Sequence, residues 1–289
     1  MPRPNALILD PTSDSGDRLA SIKNLMTVFA DWKITQLSFS ESQQDPVSYA
    51  DKVIEAVKNA DVVLCFGDFF WFRFMSGLGD VFYEELEKKL SGGVPFYFEI
   101  PRRSDSIKNG SNLQHLSKLL RRLEVLPTEN RVFSDLDYLN AHQSGTSIWF
   151  RKSDKCFLNP IIFNQVSEVF LSNSNIIDYD GDTFPILETS PLQFLVDSGD
   201  LKVASPLGKK SCVAVMRQTQ TEFALVFSGH FLNDTVETLG GALHGFDINF
   251  EVAKHILSLL GSKIPSHLNK ALCAYKDFHY VETNLGHLI

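Results

Sequence analysis

The first hundred residues alternate short apolar runs with amphipathic segments, and this alternation constrains the fold more than any other feature of the sequence. The apolar runs cover residues 5–10, 34–39, 61–67 and 94–100 and are continuous rather than alternating. Continuous apolar strands are typical of a parallel sheet that is covered on both faces. Strand and helix repeating at this spacing predict an α/β fold, with a mainly parallel sheet and helices on both faces.

The rest of the chain carries weaker signals. Residues 212–216 and 223–227 are predicted strands, residues 250–260 are a predicted helix, and residues 160–171 are compatible with another helix. A turn of the type Tyr-Asp-Gly-Asp lies between two apolar segments and predicts a β-hairpin over residues 178–187, at the periphery of the sheet.

One α/β domain is therefore expected over residues 1–262, followed by a C-terminal helical extension over residues 263–289. In that extension Leu268, Leu272 and Tyr275 recur at helical spacing. Residues 5–100 and 212–260 are expected to contribute strands to a single sheet.

Charge limits the kind of partner that the chain can bind. Its 27 lysines and arginines stand against 35 aspartates and glutamates, which gives a formal net charge of −8. Nucleic-acid binding needs clustered basic residues that neutralise phosphates. The arginine pairs Arg102-Arg103 and Arg121-Arg122 are too small for a binding stripe. The composition therefore argues against a nucleic-acid partner.

The cysteines indicate a reducing compartment. Cys65, Cys156, Cys212 and Cys273 are far apart and form no Cys-x-x-Cys pair, which predicts buried free thiols. No apolar run approaches the roughly 18 residues needed to cross a bilayer, and the N-terminus lacks the features of a signal peptide. We expect a cytoplasmic protein without membrane insertion. Because Gly-x-Gly-x-x-Gly and Walker A patterns are missing, we expect no cofactor.

Two late segments resemble GIFT-type domains. Residues 177–190 (IDYDGDTFPILETS) resemble the Gly-Asp-x-x-Pro-Val-Leu-x-Thr-Ser hairpin of this family, and residues 223–234 and 246–250 are similar to its closing strand, acidic loop and last helix. Such domains occur in intraflagellar-transport proteins and in auxiliary proteins of gliding and ABC-transport systems. They belong to the class I glutamine amidotransferase-like superfamily. The resemblance implies a flavodoxin-like sheet and extends over residues 5–262.

The residues that catalyse the superfamily's reaction are missing. Its enzymes use a cysteine in a Gly-x-Cys-x-Gly turn and a later His-x-Glu pair. Here Ile100 stands at the cysteine position, and Phe98 and Arg102 replace the two glycines. His230 is followed by a phenylalanine and a leucine instead of reaching a glutamate. These losses predict a non-catalytic interaction or ligand-sensing module, one component of a multi-protein system.

Open α/β sheets bind ligands outside the carboxyl ends of their strands. The residues predicted to lie there, and hence to be available to a small-molecule ligand, are Asp10, Asp68, Glu99, Arg102 and His230. Asp10 and Asp68 are also compatible with helix caps.

Each of the other candidates has a structural alternative as well. Glu99 is compatible with a salt bridge to Arg102 or Arg103, and His230 with a hydrogen-bonded structural role. An alternative function is a hydrolase that uses Asp10, Glu99 and His230 as catalytic residues. The spacing of the histidines and acids has no metal-ligand pattern, so no metal site is predicted.

Four consecutive aromatic residues, Phe69, Phe70, Trp71 and Phe72, form a predicted partner-binding cluster. A helix would spread them through about 300°, so no single face can bury all four. Charged residues flank the cluster, as in an interface with a polar rim. We expect a protein partner or self-association there, with core packing as the alternative.

Overall fold

The fold is taken from a computed structural model, in which the described residues build two β-sheets and three long helices, a mixed α/β architecture. The described residues are 3–9, 32–37, 46–65, 79–100, 119–133, 147–155, 162–163, 166–172, 174–190, 194–197, 203–206, 210–229, 231 and 246–264.

The strands and helices follow one another along the whole described chain. The strands are β1 (Asn5–Leu9), β2 (Lys33–Leu37), β3 (Val62–Cys65), β4 (Phe96–Ile100), β5 (Val125–Phe133), β6 (Ser147–Lys152), β7 (Glu168–Ser172), β8 (Asn175–Tyr179), β9 (Thr183–Glu188), β10 (Phe194–Asp197), β11 (Val203–Pro206), β12 (Cys212–Gln218) and β13 (Phe223–Ser228). The helices are α1 (Pro46–Lys58), α2 (Gly79–Ser91) and α3 (Phe246–Ser262).

The larger sheet has nine described strands in the order β2-β1-β3-β4-β13-β12-β9-β6-β7. The first five are parallel to one another, and the remaining neighbours pair antiparallel. Strands from residues 5–100 and 212–260 do share this sheet, as predicted. The expectation of a mainly parallel sheet is correct only for its first half, because β12, β9, β6 and β7 pair antiparallel with their neighbours.

A second sheet of four described strands, in the order β11-β10-β5-β8, is antiparallel throughout. The sequence does not predict it, because β5, β10 and β11 are short or polar and lack the continuous apolar runs of the first hundred residues. Its strand β8 packs against β12 and β13 of the larger sheet.

Two apolar clusters cover the two faces of the larger sheet. The first cluster contains Ile8 of β1 and Val252 of α3. The second contains Leu7 of β1, Val53 of α1 and Phe82 of α2. Neighbouring residues of β1 thus point to opposite faces, as the pleat of a strand requires. The predicted placement of helices on both faces is confirmed for the described helices.

Local sequence explains where the helices flanking β3 begin and end. Pro46 stands at the first position of α1, where its missing N–H costs no intrahelical bond. After α2 the N–H of Gly93 donates to the carbonyl of Leu90 (3.1 Å), with Gly93 at a φ of 85°. Glycine adopts this left-handed conformation without steric cost, so the chain turns here into β4.

Residues 178–187 do not form a peripheral hairpin, which corrects the sequence prediction. Strand β8 pairs with β5 in the smaller sheet, whereas β9 lies inside the larger sheet between β12 and β6. The turn itself has the expected chemistry, since Gly181 has a φ of 60° and its N–H donates to Asp180 Oδ1 (2.7 Å). The turn therefore connects the two sheets. The tertiary structure, and not the turn, decides which strands β8 and β9 pair with.

The remaining predictions have mixed outcomes. The late strands and the last long helix are confirmed as β12, β13 and α3. A helix that reaches residue 171 is wrong, because Val169 and Leu171 lie on β7, are buried, and pair with β6. Residues 265–289 lie outside the described residues, so the C-terminal helical extension stays a prediction.

None of the described helices is both long and apolar enough to span a bilayer.

Candidate functional site

The carboxyl ends of β4 and β13 form the edge of the sheet where ligand-binding residues are predicted. These strands are parallel, with Glu99 opposite Phe227 and Ile100 opposite Ser228. Glu99 is the predicted site residue that the structure describes. The other predicted residues lie outside the described residues: Asp10, Asp68, Arg102 and His230 of the ligand site, and Phe69, Phe70, Trp71 and Phe72 of the partner site.

Glu99 is fully buried and accepts hydrogen bonds at Oε1. The donors are the hydroxyl of Tyr97 (2.8 Å) and the backbone N–H of Phe231 (3.1 Å). Tyr97 precedes Glu99 by two residues, so both side chains lie on the face of the first apolar cluster. The ring of Phe231 stacks on that of Phe227 at 5.2 Å between centroids. The carboxylate thus fastens the segment after β13 to the end of β4.

Ile100 occupies the position that the resemblance assigns to the nucleophile. Its side chain is buried in the second apolar cluster, on the opposite face of the sheet from Glu99. Its carbonyl accepts a hydrogen bond from the N–H of Gly229 (2.9 Å). The end of β4 therefore presents a buried aliphatic side chain at the position that the resemblance assigns to a thiolate.

Two buried polar residues at this edge, Ser228 and Asn175, were not identified from the sequence. Ser228 Oγ accepts a hydrogen bond from the backbone N–H of Asn175 (2.8 Å), and Asn175 Nδ2 donates to the carbonyl of Thr128 (3.0 Å). These bonds join β13 of the larger sheet to β8 and β5 of the smaller one. The sequence carries no motif for them, because the partners lie 53 and 47 residues apart along the chain.

The two described thiols are unsuited to nucleophilic catalysis. Cys65 and Cys212 are buried and free, as predicted. Burial raises the pKa of both thiols well above the usual value for cysteine. Because the thiolate is the reactive form, both remain protonated and inert near neutral pH. Cys156 and Cys273 lie outside the described residues.

A second polar cluster, which we call the amino-edge network, lies at the other end of the same strands and consists of Arg122, Glu124, Arg217 and Glu222. Arg217 pairs with Glu124 and places its Nε 3.2 Å from Glu222 Oε2. Arg122 Nη2 lies 2.7 Å from Glu222 Oε1. The side chains of Arg217 and Glu222 are only 12% and 11% exposed, so these charges stabilise each other away from bulk water.

The described groups at both edges are engaged with one another. Glu99 and Ser228 accept hydrogen bonds within the protein, and each carboxylate of the amino-edge network contacts a guanidinium. The described part of the chain contains no group of three or more histidine, cysteine or acidic side chains placed to hold a metal ion. These arrangements hold segments of the two sheets together.

No protein-family model and no curated protein matches the sequence. Among solved structures, the mmIFT52 N-terminal domain has a similar fold, with a TM-score of 0.57 and 13% identity over 89% of this chain and 96% of that chain. The exo-beta-1,4-mannosidase Op5Man5 from Opitutaceae bacterium strain TAV5 gives a TM-score of 0.44 and 7% identity, over 90% of this chain and 36% of that chain. The first likeness shows a similar fold and nothing further. The second is too weak to support a conclusion about this chain.

Proposed function

We propose that this chain is a non-catalytic, GIFT-type interaction module of the glutamine amidotransferase-like superfamily and one component of a multi-protein system. The observation that carries the proposal is the buried side chain of Ile100 at the end of β4, where the resemblance puts the nucleophile. An isoleucine can neither attack a carbonyl nor be activated by a base. The parallel strand order β2-β1-β3-β4-β13 supports a flavodoxin-like arrangement for this half of the sheet.

The fold likeness to the IFT52 N-terminal domain supports a role within a complex. It is independent of the motif at residues 177–190, which resembles domains that occur in intraflagellar-transport proteins. Both observations favour a protein partner or self-association. The aromatic cluster Phe69, Phe70, Trp71 and Phe72 is the proposed contact surface, because Trp and Phe are frequent anchors of interfaces.

The alternative, a hydrolase that uses Asp10, Glu99 and His230, is not favoured by the contacts of Glu99. A catalytic acid or base has to reach the substrate's proton, whereas Glu99 is fully buried and binds Tyr97 and the backbone of Phe231. The roles of Asp10 and His230 stay predictions.

The test is capture of partners from the protein's native source, followed by mass spectrometry. The tagged chain is compared with Trp71→Ala, with Phe72→Ala and with Val81→Ala, whose parent side chain is 52% exposed on α2 and serves as the matched control. Loss of a central anchor should weaken association by about 2 kcal/mol, roughly thirtyfold, at an unchanged melting temperature. A partner that binds all variants equally would contradict the proposed surface.

Ammonia release from glutamine tests the absence of catalysis separately. The purified chain should release no more ammonia than buffer does. Turnover by the wild-type chain that disappears in Glu99→Gln would overturn the non-catalytic assignment and restore the enzymatic alternative.

A further inference from the structure

We draw no further inference here: the strongest candidate, the side-chain cluster of Ser174, Asn175 and Ser228 at the carboxyl edge of the larger sheet, belongs to the site already described, and its oxygens without a hydrogen-bond partner among the described residues, Ser174 Oγ and Asn175 Oδ1, are buried too deeply for a ligand to reach.

Discussion

The carboxylate of Glu99 lets one oxygen satisfy two buried donors, the Tyr97 hydroxyl and the Phe231 N–H. Replacing Glu99 by Leu leaves both donors without this acceptor, and we expect the free energy of unfolding to fall by about 3 kcal/mol. Glu99→Gln keeps an oxygen acceptor and loses only the charge, so its cost should be about 1 kcal/mol. Urea unfolding followed by circular dichroism measures both.

Tyr97→Phe is the matched control, since it removes one of the two donors and keeps the ring that packs against Phe227. Its cost should be smaller than that of Glu99→Leu. If Glu99→Leu were as stable as wild type, the buried carboxylate would not be needed to hold the segment after β13 to β4. A functional explanation for Glu99 would then become necessary.

Sequence reasoning at this scale finds the unusual residue but not its partners. Glu99 is conspicuous because it is an acid at the end of an apolar strand. Its donors could not be foreseen, because the Phe231 amide is 132 residues away and approaches only through the pairing of β4 with β13. Ser228 and Asn175 were missed for the same reason. The predicted partners Arg102 and Arg103 lie outside the described residues, so a salt bridge from Glu99 to either of them stays a prediction.

At the scale of elements, the connection from β8 to β9 depends on Gly181. A Cβ atom at this position would overlap the carboxylate of Glu124, which also accepts a hydrogen bond from the N–H of Asp182 (3.1 Å). The φ of 60° adds the cost of a left-handed conformation. We expect Gly181→Ala to lower the free energy of unfolding by about 2 kcal/mol.

Gly92→Ala controls for the change of residue type. Gly92 lacks a left-handed φ, and the nearest atom to a Cβ there would be the Lys88 carbonyl oxygen at 3.2 Å. Its effect should stay within about 0.5 kcal/mol. Equal costs in thermal denaturation of the two variants would contradict the role assigned to the β8–β9 connection.

The amino-edge network allows a second comparison between elements. Arg217→Met removes the guanidinium that contacts Glu124 and Glu222 and leaves their charges partly buried, at an expected cost of about 3 kcal/mol. Arg151→Met breaks a pair with Glu168 whose side chains are 65% and 42% exposed, and this should cost about 0.5 kcal/mol at most. Chemical denaturation of both variants, at low and high salt, measures the difference.

A smaller loss for Arg217→Met than for Arg151→Met would show that the network does not hold β5 to the β12–β13 turn. The elements of the first hundred residues and β12, β13 and α3 were predictable, because apolar runs and turn residues are local signals. The pairing of β9 with β12 and β6 was not. The sequence motif at residues 177–190 indicates a reversal of the chain, but the reversal leads from one sheet to the other, and only the assembled core selects those partners.

At the scale of the whole molecule, both apolar clusters combine the beginning and the end of the described chain. Ile8 and Leu225 share the first cluster, while Leu7 and Val226 share the second. The smaller sheet contributes to both clusters, Val132 to the first and Ile177 to the second. Among the described residues the two sheets therefore share both clusters, and the single α/β domain over residues 1–262 stays a prediction.

A shared core predicts one cooperative unfolding transition for residues 3–264. Urea curves from tryptophan fluorescence and from far-ultraviolet circular dichroism should coincide. Leu7→Ala in β1 and Ile177→Ala in β8 each remove a fully or almost fully buried side chain, so each should cost about 3 kcal/mol and shift both curves together. Two separate transitions, with Ile177→Ala moving only one of them, would mean that the smaller sheet unfolds as an independent unit. Coincident curves would mean that β8 and β9 hold the two sheets in a single cooperative structure.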